Sequence, residues 1–588
     1  MITLLLLLTP LRDSAHAYSI KVTNAQLQPL TEVMVNISKS NAKKPDTSDD
    51  GYPRPKITFP ADPDFTYFTN EKGEVNVGDF FEKVKIRLRK PNFQDAVIEI
   101  DPSVKKVSSI LKEEKDPAKL ADAKPANVWL GALSLQSRED KIHFQMQCGF
   151  CHQQGSLFTR VERSTEGWEE VIKRMVRYGS RLPTRLQKSL PGQLHSGYQK
   201  LREDPSLLSE GTPWSKSLNE VKITQWAIGD AMSQTHDVLL GANHKVYIAD
   251  NIQDRLYEVD TKSNEITVFK IPHKEGDRPG GLLAGRLKDF PKHDSTSNAH
   301  SLALSNKDGH IFITPSAQRR IIEFNPGDKS FVTHEIGGGF YPHTIRVDQQ
   351  DRVWFTLALS NQIGKLDRST GKFTLYDLPT RSFREKLTIK FMGGIFKLIG
   401  WGIPLTNLLP VDEISTGTPM PYGIDVAPDG KIWFARLHTK EIGYVDPVTE
   451  KVTMIPTPFV GPRRLRADAE GNIWIVSFGE SLLAKYDPKA AQFKVYDLPV
   501  VPRGSETPYS LGVNEKTHQI WVNGNQSNAV YIFDVKSETW DSIPLPKRIT
   551  FTRDFDFDEE GAAYTSNSNF PSWQIEDQQP TLIRIKRK

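Results

Sequence analysis

The chain has 588 residues, of which 38% are hydrophobic and 25% are charged. This composition is typical of globular proteins, and the length is sufficient for several domains. Lys and Arg total 76 against 72 Asp and Glu, so the net charge of +4 provides no basic surface of the kind that binds nucleic acid. Aromatic residues reach 10%, and 39 Gly and 39 Pro are scattered along the chain, which favours a turn-rich, mainly β architecture.

The N-terminus has features of an export signal. A short apolar run at residues 2–8 precedes Ala15 and Ala17, small residues at the two positions that a signal peptidase reads. The run is too short to span a bilayer. We therefore predict a signal peptide over residues 1–17 and a periplasmic, exported protein.

Residues 18–102 contain short stretches of alternating polar and apolar residues, which predict a small β-sandwich. The stretches are 19–22, 74–77, 84–88 and 96–100. The turn at residues 69–74 resembles that of prealbumin-like or carboxypeptidase-regulatory-like modules. Residues 103–127 are rich in Lys, Asp, Ala and Pro and predict a linker.

Cys148 and Cys151 are the only cysteines of the chain, and His152 follows them directly. In the Cys-x-x-Cys-His spacing, two thiols can add to the vinyl groups of haem while the histidine ligates the iron. A redox dithiol would need a strand-to-helix context, and a zinc site would need a second pair of ligands. The sequence offers neither, so we predict one covalent haem c with His152 as iron ligand.

Residues 128–220 show helical periodicity and predict a small α-helical cytochrome c domain. Its apolar stripe consists of Trp168, Val171, Ile172, Met175 and Val176. The Trp-x-x-x-Ile-x-Arg-Met stretch that ends at Met175 resembles one in cytochrome domains fused to quinohaemoprotein dehydrogenases. Met175 is therefore the first candidate for the sixth iron ligand, although Met at helical spacing is also common in cores. His195 and an open sixth position are the alternatives.

A repeat fills residues 221–588. Pro342–Val347 matches Pro421–Val426, and both are followed by a Trp-Phe pair and an Ile-Gly-x-x-Asp stretch. The copies begin at His236, His300, His343, Tyr422, Arg463, Tyr509 and Arg553. Four of the six intervals are 41 to 46 residues long, and intervals of 64 and 79 residues hold insertions. This period is typical of a propeller blade of four short strands, and seven blades form a ring. Residues 582–586 and 221–228 are then the third and fourth strands of the last blade.

The Pro-His-Thr-Ile, Pro-Tyr-Gly-Ile and Trp-Phe-Thr elements of this repeat resemble the virginiamycin B lyase (streptogramin lyase) family of seven-bladed propellers. The resemblance implies a magnesium-dependent lyase with a histidine at the blade-opening position and a glutamate fourteen residues later. Here the residue fourteen positions after His343 is Leu357, and among the equivalent positions only Asp250, in the blade of His236, has a carboxylate. The acid that would hold magnesium and orient the base is missing from the blade of His343.

The seven blade-opening residues are predicted to meet at the central tunnel as a ring, and all seven are candidate catalytic residues. His236, His300 and His343 lie on consecutive blades, which is compatible with a copper, zinc or iron site as well as with a polar tunnel lining. Arg463 and Arg553, with Arg436 nearby, predict a cationic side that binds a small anionic, carboxylate-bearing substrate.

The longest insertion, residues 381–410, is apolar with spaced lysines. It is compatible with an amphipathic hairpin on a membrane surface, with a lid over the tunnel, or with a platform for the cytochrome domain. The Gly-rich insertion at residues 273–298 can also cover the ring.

Together these features favour a periplasmic haem c oxidoreductase or electron-transfer protein. The propeller would bind a substrate or metal at the tunnel mouth, and the haem would pass electrons to a periplasmic redox partner. One alternative is a streptogramin-type lyase with a peripheral haem. Another is a non-catalytic electron-transfer or binding module.

Overall fold

The computed structural model describes residues 18–39, 62–78, 82–280, 295–400 and 418–587, so the predicted signal peptide lies outside the described residues. The N-terminal part has seven strands. They are β1 (Tyr18–Thr23), β2 (Met34–Lys39), β3 (Asp64–Phe68), β4 (Glu74–Val77), β5 (Val84–Arg89), β6 (Ala96–Ile100) and β7 (Lys106–Ile110). One sheet has the order β4-β1-β7, and the other contains β3-β2-β5-β6. The two sheets share one apolar core that includes Ile20, Val35 and Ile86.

Residues 103–127, predicted as a linker, are largely regular structure. Strand β7 pairs in parallel with β1, and helix α1 (Pro117–Ala123) begins after Asp116, whose carboxylate accepts hydrogen bonds from two backbone N–H groups of the first turn. Lys and Ala are good helix formers, so a composition that suits a linker also suits a capped helix.

Five helices form one packed unit. After α1 come α2 (Ala126–Ala132), α3 (Arg138–Cys148), α4 (Thr165–Arg177) and α5 (Thr184–Glu203). Their common core includes Trp129, Phe144, Trp168, Ile172 and Leu190. The predicted amphipathic helix is confirmed as α4, which buries Trp168, Ile172 and Val176.

The C-terminal part consists of six four-stranded sheets and a seventh set of four strands that belongs to an eight-stranded sheet, which confirms the mainly β, propeller prediction. Blade 1 contains β9 (Thr235–Leu240), β10 (Lys245–Asp250), β11 (Arg255–Asp260) and β12 (Ile266–Lys270); blade 2 contains β13 (Ala299–Leu304), β14 (Ile311–Pro315), β15 (Arg320–Phe324) and β16 (Phe331–Glu335); blade 3 contains β17 (Pro342–Val347), β18 (Val353–Leu357), β19 (Gln362–Asp367) and β20 (Lys372–Asp377). Blade 4 contains β21 (Pro421–Val426), β22 (Ile432–Arg436), β23 (Glu441–Val445) and β24 (Val452–Pro456); blade 5 contains β25 (Pro462–Ala467), β26 (Ile473–Ser477), β27 (Leu482–Asp487) and β28 (Gln492–Asp497); blade 6 contains β29 (Leu511–Asn514), β30 (Gln519–Gly524), β31 (Ala529–Asp534) and β32 (Thr539–Pro544).

Blade 7 joins the two ends of the propeller. It contains β33 (Asp556–Phe557), β34 (Ala563–Asn567), β35 (Thr581–Arg587) and β8 (Val221–Ala227). Ile585 of β35 lies opposite Ile223 of β8, which confirms the predicted closure of the ring. Strand β8 also pairs with β3, so the sheet continues into the N-terminal part.

The repeated Trp of the second strand holds neighbouring blades together. Trp354 is fully buried with Ile363 of its own blade and Ile424 of the next one. Its indole N–H donates to Asp348 at 2.7 Å, and Trp474 donates to Asp468 at 2.8 Å in the same way. Burying a large apolar side chain contributes roughly 1.5–3 kcal/mol, so this contact makes each blade depend on its neighbour.

The described part of the long insertion is one helix, α6 (Phe383–Gly400), where a hairpin was among the expectations. Residues 401–410 lie outside the described ranges, as do residues 281–294 of the second insertion. Glu385 of α6 is buried and pairs with Arg381, which anchors the start of the helix. Within the described chain, no helix is long and apolar enough to cross a membrane.

Candidate functional site

The inner strand of a blade carries the same irregularity in five blades. In blade 3, Pro342 pairs with Leu357 and Ile345 pairs with Phe355, so His343 and Thr344 together oppose a single residue. Blades 1, 2, 4 and 5 have the matching register shift at their own blade-opening residues. A bulge of this kind redirects side chains, and here it occurs at the blade-opening residue and the residue after it.

The structure brings the blade-opening residues together at the propeller axis. The imidazole centroids of His236 and His300 are 3.6 Å apart, those of His300 and His343 are 3.8 Å apart, and the Tyr422 ring lies 3.7 Å from His343. Arg463, Tyr509 and Arg553 complete the set. All seven are buried, and we refer to them as the central ring.

A chain of hydrogen bonds runs through five members of the central ring. Arg463 donates to the Tyr422 hydroxyl at 2.9 Å, and the hydroxyl groups of Tyr422 and Tyr509 are 2.6 Å apart. The Tyr509 hydroxyl lies 3.0 Å from His236 Nε2, and Arg553 Nη1 lies 3.3 Å from the same nitrogen. The two ends of this chain are guanidinium groups, and its middle is two phenols and an imidazole.

The three histidines are neutral in this setting. Burial lowers the pKa of each of them well below the ordinary value of about 6.5, and the nearby guanidinium groups lower these pKa values further. Neutral imidazoles accept hydrogen bonds and can ligate metals. His300 Nδ1 and His343 Nε2 have no hydrogen-bond partner among the described residues, whereas both nitrogens of His236 have one.

The three imidazoles do not present one nitrogen each to a common point. Their rings lie in a row, with adjacent rings tilted by 42° and 50° and with the centroids of His236 and His343 6.4 Å apart. Their nitrogens do not all lie within 4.8 Å of one another. Among the described residues, only Asp308, His310 and Glu323 meet that spacing, and Arg368 already pairs with both carboxylates there. The present arrangement therefore does not fit an ion held by all three histidines.

The two arginines of the central ring have no carboxylate partner within the described ranges. Arg463 is fully buried, its Nε and Nη1 have no hydrogen-bond partner there, and four aromatic rings surround its guanidinium. The distances from Cζ to the ring centroids are 3.7 Å for Tyr509, 4.0 Å for Phe478, 4.3 Å for Phe150 and 4.7 Å for Tyr422. Aromatic faces stabilise a cation but leave its N–H donors free.

The residues that follow the ring positions form a second, charge-balanced layer, which the sequence analysis missed. Arg464 lies 2.9 Å from Asp237 and 3.0 Å from Asp554, and Ser301 donates to Asp237 at 2.6 Å. Asp237 also contacts His236 Nδ1 at 2.9 Å. The sequence does contain a signal for this layer. The residue that follows the blade-opening residue is charged in three blades, where it is Asp237, Arg464 or Asp554.

The positions fourteen residues after the ring residues do not supply a lyase acid. Leu357 is buried and apolar. Asp250 is fully buried, and its carboxylate accepts hydrogen bonds from the backbone N–H of Gln234 and from the hydroxyl of Tyr257. Asp250 therefore fixes the backbone just before β9. Arg436, expected on the cationic side, pairs with Glu441 at 2.8 Å and contributes no free charge.

The Cys-x-x-Cys-His motif starts at Cys148, the last residue of α3, and continues into the following loop, which lies against the central ring. Phe150, between the two cysteines, has its ring centroid 6.1 Å from that of Tyr422 and 6.4 Å from that of Phe478. Gln153 donates to Asn528 and to the Thr550 carbonyl, both at 2.7 Å. The helical unit thus covers the tunnel with the motif loop at the point of contact.

The motif residues themselves fit a covalent haem. Cys151 is exposed, and burial raises the pKa of the Cys148 thiol to about 12, opposite to the lowered pKa of a redox dithiol. His152 Nδ1 lies 3.2 Å from both the Gln153 carbonyl oxygen and the Gln154 side-chain nitrogen. In the tautomer that donates from Nδ1 to the Gln153 carbonyl, Nε2 is the nitrogen that can ligate iron, an arrangement common for metal-bound histidines.

The two candidates for the sixth ligand lie on different helices. Met175 is half-buried on α4. His195 lies on α5, and its Nδ1 is 2.8 Å from the carbonyl oxygen of Arg163. The assignment of Met175 stays a prediction.

No protein-family model matches this sequence, and none of the curated proteins compared with it matches. Similar solved structures include virginiamycin B lyase from Staphylococcus aureus, with 13% identity, a TM-score of 0.46, and coverage of 63% of this chain and 100% of that one. A streptogramin B lyase has 15% identity, a TM-score of 0.47, and coverage of 62% and 98%. The protein U3-55K has 8% identity, a TM-score of 0.44, and coverage of 61% and 98%. These likenesses concern the fold, and the seven sets of four strands themselves make the C-terminal part of the chain a β-propeller.

Proposed function

We propose that the chain is a periplasmic haem c protein with oxidoreductase or electron-transfer activity, whose central ring binds a small carboxylate-bearing substrate. The observation that carries this proposal is the position of Phe150, which lies between the two motif cysteines and against Tyr422 and Arg463. A haem attached to Cys148 and Cys151 would therefore be bound close to the central ring.

The chain's own residues have distinct roles in this proposal. Cys148 and Cys151 would hold the haem, His152 would ligate its iron, and the bound haem would supply one-electron transfer. Arg463 and Arg553 bind the carboxylate, because a guanidinium pairs with it through two parallel hydrogen bonds. The helical cover excludes water from the ring, which strengthens these contacts.

The first test is the haem content of the full chain matured in a bacterial periplasm. We expect about one covalent haem per chain by the pyridine haemochrome assay, because one attachment motif exists. The double variant Cys148→Ala, Cys151→Ala should lose it completely, whereas His195→Ala should retain it. A colourless wild-type protein would contradict the redox proposal.

The second test concerns the sixth ligand. If Met175 binds the iron, Met175→Ala should remove the weak sulfur-to-iron absorption of the ferric protein and lower its reduction potential, because thioether ligation raises the potential. His195→Ala is the matched control and should leave both unchanged. The reverse result would assign the ligand to His195, and no change in either variant would indicate an open position.

Metal analysis distinguishes the enzymatic alternatives. Copper, zinc or iron beyond the haem would restore the predicted His236, His300 and His343 metal site, and magnesium-dependent elimination would favour the streptogramin-type lyase. The absence of both, with haem present, would favour an electron-transfer or binding module.

We also propose a peripheral membrane contact through one side of α6. Phe383, Leu387 and Phe391 are exposed at successive intervals of four residues, which places them on one side of the helix. Lys390 and Lys386 lie beside them in the sequence. Co-sedimentation with anionic vesicles, compared between the wild type and Phe383→Ser, Phe391→Ser, tests this contact.

A further inference from the structure

A groove of about 640 Å³ lies between the helical unit and blade 5. Helix α3 forms one wall with Lys141 and Ile142, and strands β27 and β28 form the other with Leu482 and Val495. The residues of the central ring are not among those that line it. Its volume is within the range of about 300–1,000 Å³ that is typical of sites for small organic ligands.

The base of the groove is a close contact between α3 and the propeller. Gln145 is buried, and its side-chain N–H donates to the Gly504 carbonyl at 2.9 Å. Gly479 lies directly against α3, because a Cβ added there would be 3.2 Å from Ile142 Cγ2 and 3.1 Å from Met146 Sδ. The two walls are therefore held in place by packing and by a hydrogen bond below the groove.

The groove contains three cationic side chains, and two of them already have carboxylate partners. Arg138 pairs with Glu480, and Arg503 donates to Asp497 at 2.5 Å. The third, Lys141, is half-buried and has no carboxylate partner within the described ranges. Three positive and two negative side chains leave the groove with one unbalanced positive charge, on Lys141.

The environment of the Lys141 ammonium favours a bound anion. Burial lowers the pKa of Lys141, and no described carboxylate offsets this effect. A charge that is partly removed from water is stabilised when an opposite charge contacts it. Because Lys141 lines the groove, a ligand bound there is in a position to supply that opposite charge.

The side chains across from Lys141 are apolar and incompletely covered. Val495 of β28 is 40% exposed. Leu482 of β27 and Ile142 of α3 are only partly buried. Covering such side chains removes apolar surface from water, which is favourable. A ligand with one negative charge and an apolar body would therefore satisfy both sides of the groove.

We propose that this groove binds a small amphipathic anion, with its acidic group on Lys141 and its apolar body between Ile142, Leu482 and Val495. A single negative charge is required, because it balances the one free positive charge of the groove. The ligand would contact α3 and blade 5 together, so its binding would stabilise the packing of the helical unit on the propeller. Helix α3 ends at Cys148, the first cysteine of the motif.

The test is a calorimetric titration of the full-length protein with octanoate, and with 1-octanol as the uncharged probe of the same chain length. We expect octanoate to bind at one groove site per chain and 1-octanol to bind more weakly. Lys141→Met should weaken octanoate binding roughly 10- to 100-fold, because a hydrogen bond to a charged group is lost. Octanoate should also raise the melting temperature of the wild type more than that of Lys141→Met.

Two further variants make the result specific to the groove. Lys222→Met is the matched control, because Lys222 is also half-buried but lies on β8 over the Phe65 ring; octanoate affinity should not change. Val495→Asp should weaken octanoate binding, because it places a negative charge beside the ligand. If Lys141→Met does not fold, Val495→Asp and the comparison with 1-octanol still decide.

Three outcomes would overturn this assignment. They are no binding of octanoate to the wild type, equal affinity for 1-octanol, and an octanoate affinity that falls in Arg463→Met but not in Lys141→Met. The last result would place octanoate in the central ring. The titration does not require haem or a ligand in the central ring, so a failure here is distinct from a failure of the proposed function.

Discussion

Replacing Arg464 with Met is expected to destabilise the protein by about 3–5 kcal/mol, whereas the same replacement at the adjacent Arg463 should change the free energy of unfolding by no more than about 1 kcal/mol. Arg464 is fully buried between Asp237 and Asp554, and its loss leaves the buried carboxylate of Asp237 without its guanidinium partner, while Asp554 keeps Arg466. Arg463 has no such partner in the described part of the chain, so its removal breaks no ion pair. Urea unfolding of both variants under one set of conditions measures the difference.

The same two variants separate binding from stability. Arg463→Met should weaken the binding of benzoate roughly 10- to 100-fold, since a hydrogen bond to a charged group contributes about 1.5–3 kcal/mol. Benzamide, which has the same shape without the charge, should bind weakly to the wild type and should be insensitive to this change. Equal destabilisation by both substitutions, or unchanged benzoate affinity in Arg463→Met, would contradict the role of Arg463 as an anion-binding group.

Glu506→Gln is expected to stabilise the protein by about 3 kcal/mol at pH 8 and to have little effect at pH 4. Glu506 is fully buried, and burial raises its pKa to about 7, although the backbone N–H groups of Thr507 and Gln526 donate to its carboxylate. Between about pH 4.5 and pH 7 the unfolded chain loses this proton while the folded chain keeps it. Stability therefore falls across this window as pH rises, and the Glu506→Gln substitution would remove that loss because an amide does not ionise.

Glu506 is linked to the motif loop through Gln526. The backbone N–H of Gln526 donates to the Glu506 carboxylate, and the Gln526 side chain accepts from the backbone N–H of Gln154 at 2.8 Å. The measurement is the difference in unfolding free energy between wild type and Glu506→Gln from pH 4 to pH 8. Glu560→Gln is the exposed control: Lys586 lowers the pKa of Glu560, so any pH effect there should have the opposite sign. A constant difference across the range for Glu506→Gln would contradict the prediction.

The repeat was readable from the sequence because a blade is a local structure. Each blade is one run of four strands, and its Trp and ring residue recur at a short period, so the number of blades and the closure through residues 221–228 follow from spacing alone. The amphipathic stripe of α4 is local in the same sense. The linker prediction differs from the structure because composition alone does not distinguish a linker from a capped helix or from β7.

The positions of the seven central-ring side chains relative to one another were predictable only in part. Spacing placed the seven residues at equivalent positions, yet the close row formed by His236, His300 and His343 depends on bulges that no periodicity reveals. The bulges also place Asp237 and Arg464 in the second layer, because two consecutive residues then oppose one partner.

By itself, the sequence determined the seven-bladed propeller, the seven positions of the central ring and the Cys-x-x-Cys-His spacing, since each depends on residues near one another in the chain. Only the tertiary structure decided which charges are balanced. Arg464 meets Asp237 from a blade 227 residues away, whereas its neighbour Arg463 meets aromatic rings, including Phe150 of the motif loop. Burial makes that distinction energetically large, because a charge removed from water requires a partner, and the partner comes from a distant part of the chain.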